Sequence, residues 1–201
     1  METIDKKKGK NFSCNNCKGQ RKKSDFYETP YSITEQLLER EHFNNSNSFL
    51  EPCCGNGAIV KVLKKHNLHV NYYDIKDGIN FLDEKKYYDN IITNPPFSLA
   101  KEFILKCKEI VNEKFALLLP LNYLHGEERY KKIYKDTVFP LKCIYIFTRY
   151  PLLGEFLRED GKYHTGMIVY TWYIWDKNWN KEYPIIKWIS NQKYILKRGD
   201  N

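Results

Sequence analysis

Short apolar runs alternate with segments of helical period along most of this 201-residue chain, and no other feature limits its fold so strongly. Phe49–Leu50 opens a short strand, Gly55-Asn56-Gly57 makes a turn, and AIVKVLKKH continues as a helix. HVNYYDI reads as a second strand and Asp89 to Thr93 as a third, stopped by two prolines. In SLAKEFILKCKEIVNE, residues Leu99, Ala100, Phe103, Ile104, Cys107, Ile110 and Val111 share one helical face. FALLLPL, apolar throughout, fits a central strand buried on both sides. GEERYKKIYKDT adds a helix, KCIYIF a strand, and GMIVYTWYIWDK a long strand whose Trp172 and Trp175 point to opposite faces. Residues 184–197 supply a last strand or an edge hairpin. Upstream, Ser32 and Glu35 have capping-box spacing, which predicts a helix from Ile33 to His42. Strands and helices at this pitch define a doubly wound α/β domain with a mostly parallel sheet and helices on both faces.

The charge is concentrated at one end. The net charge is +8, and residues 1–23 hold eight basic side chains, Lys22 and Lys23 among them, against Glu2 and Asp5. That segment has almost no apolar residues to offset its ordering entropy, so it is expected to be a disordered basic arm suited to a phosphate backbone. Residues 24–201 are expected to form one domain, with a long loop at about 149–166 that has no clear period. No apolar run approaches the ~18 residues of a membrane span, and METIDKKKGK is not followed by an apolar stretch, so neither a membrane partner nor a secretory leader is expected. The six cysteines are scattered, as reduced thiols in a cytoplasmic protein would be. Cys14 and Cys17 have half the spacing of a zinc site, but no second pair follows in the arm and no metal is expected.

Two motifs carry chemistry. In FLEPCCGNGAIV, the first glycine permits a tight strand-to-helix turn and the second lets a ligand approach the helix N-terminus. Val60 stands where a dinucleotide fold places a third glycine, and Glu51 would repel a pyrophosphate. A ligand bearing an amine and a single carboxylate fits better. Asp74, at the end of the next strand, is positioned to accept from ribose hydroxyls. Taken alone, such a glycine turn also suits plain closure of a βα unit.

Asn94-Pro95-Pro96-Phe97 follows an apolar strand and so falls at a carboxyl edge, where open α/β sheets bind ligands. Proline at 95 keeps Asn94 extended, and two prolines remove two N–H donors. What remains is a pair of acceptors, the Asn94 amide oxygen and a diproline carbonyl, suited to gripping the N–H groups of a planar amine. Those bonds favour a pyramidal nitrogen and return density to its lone pair. Phe97 is positioned to stack on the ring. On its own the tetrapeptide would equally serve to end a strand.

With these residues the chain resembles S-adenosylmethionine-dependent, adenine-specific (N6) DNA methyltransferases, and among them the small enzymes of phages and mobile elements. The resemblance covers about 25–177. It runs through Tyr27-Glu28-Thr29-Pro30, Leu50-Glu51-Pro52-Cys53-Cys54-Gly55-Asn56-Gly57, Asp74-Ile75, Asn80-Phe81-Leu82, Asn94-Pro95-Pro96-Phe97 and the late aromatic strand around Trp172 and Trp175. It implies a Rossmann-like, seven-stranded methyltransferase fold and S-adenosylmethionine as cofactor. By resemblance Thr29 and Pro30, beside Tyr27, line the methionine end. Glu51, Pro52, Cys53 and the turn from Gly55 to Gly57 hold the methionine portion, Asp74 and Ile75 the ribose, and Asn80 and Phe81 flank the adenine. Asn94 and Pro95 bind the target amine, with Pro96 and Phe97 completing the catalytic loop, and Asn94 also borders the cofactor. Many relatives carry Asp where Asn80 stands, which predicts weaker cofactor binding rather than loss. Tyr123, Arg149, Tyr150, Lys22 and Lys23 are candidates for the nucleic-acid side. The expected partner is DNA, with RNA as an alternative and a specificity-providing chain as a further partner. Methylation of a protein glutamine amide is also open, although those relatives usually have Tyr where Phe97 stands, and so is a role as one subunit of a larger methyltransferase complex.

Overall fold

The computed structural model describes residues 28–148 and 168–190. The chain runs α1 (Tyr31–Leu38), β1 (Ser48–Glu51), α2 (Ala58–Lys65), β2 (His69–Tyr72), β3 (Tyr88–Thr93), α3 (Ala100–Ile110), β4 (Val111–Pro120), β5 (Leu141–Phe147), β6 (Tyr170–Asp176) and β7 (Ile185–Ile189). One sheet holds all seven strands, in the order β2-β1-β3-β4-β6-β5-β7. Every pairing is parallel except those of β6, which runs against both β4 and β5. The expected seven-stranded, mostly parallel sheet is therefore present. Among the described residues no helix is long and apolar enough to cross a membrane.

Helices cover both faces, and each face has its own core. On one, Ile33 and Leu37 of α1 and Ile59 and Leu63 of α2 pack on Phe49, Ile92, Leu118 and Trp172. On the other, Phe103, Ile104, Cys107 and Ile110 of α3 pack on Leu50, Ile91, Phe115, Leu117 and Trp175. Trp172 and Trp175 are thus on opposite faces, as their spacing predicts, and both are fully buried. Trp172 Nε1 donates to the Ile33 carbonyl at 2.9 Å, tying β6 to the start of α1.

Three elements differ from the sequence reading. α1 begins at Tyr31 behind Pro30, an N-cap residue with no polar side chain to cap with, and ends at Leu38 rather than His42. Glu35 instead reaches α2, where it meets Lys65 Nζ at 2.7 Å and His66 Nε2 at 2.6 Å. The expected helix over SLAKEFILKCKEIVNE stops at Ile110, and Val111 turns extended at once, since its edge is needed by Tyr88 of β3. The helix expected at 126–137 is one α-turn, Glu127–Arg129, widened into a π-helical stretch at Tyr130–Tyr134. Of the stretch 184–197, Ile185–Ile189 form β7, parallel to β5, and 191–197 lie outside the described residues.

Candidate active site

The strand order fixes where a ligand can sit. From β1 the chain crosses to β2 on one side and then to β3 on the other, so the carboxyl ends of β1 and β3 flank the reversal point. Glu51 ends β1 and Thr93 ends β3. After Glu51 the chain forms the glycine turn, with Gly55 at φ 51° and Gly57 at φ 79°. Both values lie in the left-handed region, which glycine occupies without steric cost. Gly57 heads α2, whose first turn aims its N–H groups at this edge.

A cavity of about 240 Å³ opens here. Of the residues expected in the site, Thr29, Pro52, Cys53, Gly55, Asp74, Ile75, Asn80, Phe81, Asn94 and Pro96 line it. Pro30, Glu51, Gly57, Pro95 and Phe97 are adjacent in the chain but outside the lining. Tyr27, Lys22, Lys23, Arg149 and Tyr150 lie outside the described residues, as do the basic arm, the loop expected at 149–166, and Cys14 and Cys17. Tyr123 is on the turn after β4 at the same edge, half-buried, with the Arg129 guanidinium 4.6 Å from its ring centre. Sequence reasoning did not single out Glu28, Cys54, Ala58, Ile59, Ile79, Leu99 or Phe103, and it took Asn56 only as part of the turn from Gly55 to Gly57. Glu28, Cys54, Ala58 and Ile59 sit inside quoted motifs and were within reach. Leu99 and Phe103 read only as the apolar face of α3, and nothing in the sequence distinguishes their part of that face.

Hydrogen bonds hold the wall together. Asp74 Oδ2 accepts from Gly55 N at 2.9 Å and Oδ1 from Lys76 N at 3.1 Å, which joins the end of β2 to the glycine turn. Each carboxylate oxygen has a second lone pair and so retains the capacity to accept a further hydrogen bond. Lys76 Nζ donates to the Gly55 carbonyl at 2.5 Å from the solvent side. Asn80 caps the short turn Phe81–Asp83, accepting from Leu82 N at 3.2 Å and donating to Asp83 at 2.9 Å. Asn94 Nδ2 donates to the buried Thr29 hydroxyl at 3.1 Å, so the segment entering α1 meets the Asn94–Phe97 tetrapeptide. Phe97 packs against Tyr170 of β6, ring centres 5.5 Å apart.

Glu51 lies beneath the cavity. It is fully buried, its Oε1 accepting from Thr93 Oγ1 at 2.5 Å and Cys53 N at 2.9 Å. Its Oε2 has no hydrogen-bond partner among the described residues. Burial outweighs the two bonds, and with the charge of Asp74 nearby the carboxyl is pushed up to about 8. Burial also pushes up the thiols of Cys53 and Cys54, with Glu51 and Asp74 adding to the rise.

No protein-family model matches the sequence, and no curated protein matches it. Solved structures do share the fold. A type I restriction-modification system methyltransferase subunit from Streptococcus thermophilus superposes with a TM-score of 0.57 at 14% identity, over 85% of this chain and 48% of that one. A modification subunit assigned to a type I restriction enzyme from Vibrio vulnificus YJ016 gives 0.54 at 15%, over 87% and 48%. Magnesium protoporphyrin IX methyltransferase from Synechocystis PCC 6803, solved with bound SAM, gives 0.51 at 14%, over 73% and 77%. The chain thus spans about half the length of the two restriction-system subunits. Its architecture is the Rossmann-like fold of S-adenosylmethionine-dependent methyltransferases.

Proposed function

We propose that the chain transfers a methyl group from S-adenosylmethionine to the exocyclic N6 amine of adenine in DNA. The observation that carries this reading is the convergence of two motifs on one cavity: Asn94 and Pro96 line it from the end of β3, opposite Gly55 and Asp74. The cavity suits the cofactor in chemistry. Ile75, Ile79, Phe81 and Phe103 offer apolar faces to a flat purine, while Asp74 offers a carboxylate to vicinal hydroxyls. Glu28, Thr29 and the glycine turn are the polar groups left for the amino-acid end.

When bound, S-adenosylmethionine supplies a methyl group activated by its sulfonium, which moves in line as an N–C bond forms and the C–S bond breaks. The protein's task is positioning. The Asn94 amide and a diproline carbonyl accept from the amine's N–H groups and favour its pyramidal, nucleophilic form. Phe97, braced by Tyr170, stacks on the base. The amine's surplus proton passes to solvent. An adenine inside a duplex is out of reach, so the target is flipped out or already single-stranded. A partner chain that supplies specificity belongs to the same reading, because the two restriction-system proteins of this fold are subunits.

The test is incubation with methyl-labelled cofactor and duplex DNA, single-stranded DNA, RNA or protein, followed by identification of the labelled product. N6-methyldeoxyadenosine is expected. Asn94→Ala should lower the rate by about 10²–10³ at nearly unchanged cofactor affinity. Label in RNA or in glutamine would move the substrate class, and near-normal turnover by Asn94→Ala would overturn the role of the tetrapeptide.

A further inference from the structure

The two halves of the site are joined by a single buried carboxyl oxygen. Glu51 Oε1 takes one hydrogen bond from Cys53 N, whose residue lines the cavity at the glycine turn, and one from the Thr93 hydroxyl, whose residue immediately precedes Asn94. These are the ends of β1 and β3, the two strands that flank the reversal of strand order. Glu51 and Thr93 both have zero exposure, so water does not compete for either bond.

We propose that Thr93 is a positioning residue, its hydroxyl fixing Asn94 relative to the cofactor turn through Glu51. The inference rests on the proposed function of that site and deepens it.

Threonine suits this task for a mechanical reason. Its β-branch stiffens χ1, so a hydroxyl held at one point also holds its own backbone. The next bond leads into Asn94, which Pro95 confines to extended geometry, and Pro95 is itself buried. From Cys53 N to the diproline the path therefore contains two hydrogen bonds and little rotational freedom. Methyl transfer requires the acceptor nitrogen in line with the donor, and a shift of 1 Å at such a point costs about 10²-fold in rate. Thr93 touches neither ligand in this scheme. Its effect is on the registration of one motif against the other.

The experiment compares Thr93→Val, which keeps the shape and deletes the donor, with Thr93→Ser, which keeps the donor. Cofactor affinity is measured by calorimetry on the full chain, and kcat on the nucleic acid that the wild type methylates. For Thr93→Val kcat should fall by about 10–100-fold while cofactor Kd stays within roughly threefold, and Thr93→Ser should recover kcat to within roughly threefold of wild type. A Val variant with wild-type kcat would overturn the proposal. Parallel loss of kcat and cofactor affinity would do the same, as would a Ser variant no better than Val. If the wild type methylates nothing, the proposed function fails and the coupling is read without turnover, by hydrogen exchange at Phe97, Ser98 and Leu99. S-adenosylmethionine should then slow exchange there in wild type but not in Thr93→Val. Equal protection in both, or none in wild type, would overturn the coupling.

Discussion

At Glu51, burial and hydrogen bonding pull in opposite directions, and burial wins. The folded carboxyl holds its proton up to about 8, whereas the unfolded one releases it near the ordinary 4.5. Between those values the folded state binds more protons than the unfolded chain, so this group's contribution to stability declines as pH rises and is flat above about 8. Glu51→Gln mimics the protonated form and lacks the titration. The melting temperature of wild type relative to Glu51→Gln should therefore fall between pH 5 and 8, by at least about 2–4 °C, the shift that about 1 kcal/mol makes in a chain of this size. Thermal melts of both proteins across that range check it, and a constant gap would show that Glu51 does not titrate there. Sequence reasoning placed Glu51 in the site but gave no sign of its full burial. Its burial comes from strand ends 42 residues apart meeting at Thr93, and no local pattern carries that information.

The elements were more legible, because each apolar period reports one face of one helix or strand. α3 offers the sharpest test. Ile104 is fully buried against the sheet, while its neighbour Leu105 is 40% exposed. Ile104→Ala should cost about 2–5 kcal/mol in chemical denaturation and Leu105→Ala no more than about 0.5. Similar losses at both would mean that the helix is rotated. Boundaries were less legible than faces. Ile110 and Val111 are apolar in either state, so periodicity could not show that α3 passes straight into β4. The Ser32–Glu35 pair matched a capping box, but Pro30 starts the helix and Glu35 is drawn to Lys65 and His66 on α2.

Over the whole molecule the two sheet edges divide the work. The carboxyl edge holds the cavity. The opposite edge holds a network in which Lys114 and Lys142 meet Glu41 at 3.0 and 2.6 Å and Asp176 at 3.6 and 3.1 Å. Those lysines are already paired with carboxylates and are poorly placed to neutralise phosphates. The densest supply of positive charge in the sequence is the segment 1–23, with +6 of the net +8. Deleting it should weaken nucleic-acid binding and flatten its salt dependence, by about 0.9 of log–log slope for each duplex phosphate that it neutralises. The maximal rate and cofactor affinity should hardly change, since binding to the phosphate backbone carries no chemistry. Binding isotherms of both forms across a salt series decide it, and identical slopes would make the segment a bystander.

The two cysteines on the cavity wall bear on what else this site could do to itself. An activated methyl group is indifferent to the nucleophile that takes it, and a thiolate outcompetes an aromatic amine. Cys53 and Cys54 line the cavity proposed to hold that group. Desolvation raises both thiols and the Asp74 carboxylate adds to the rise, which keeps each in its weakly nucleophilic S–H form. Under the proposed function, that desolvation would also serve chemoselectivity: a dry wall of protonated thiols does not take the methyl group and consume the donor without a product.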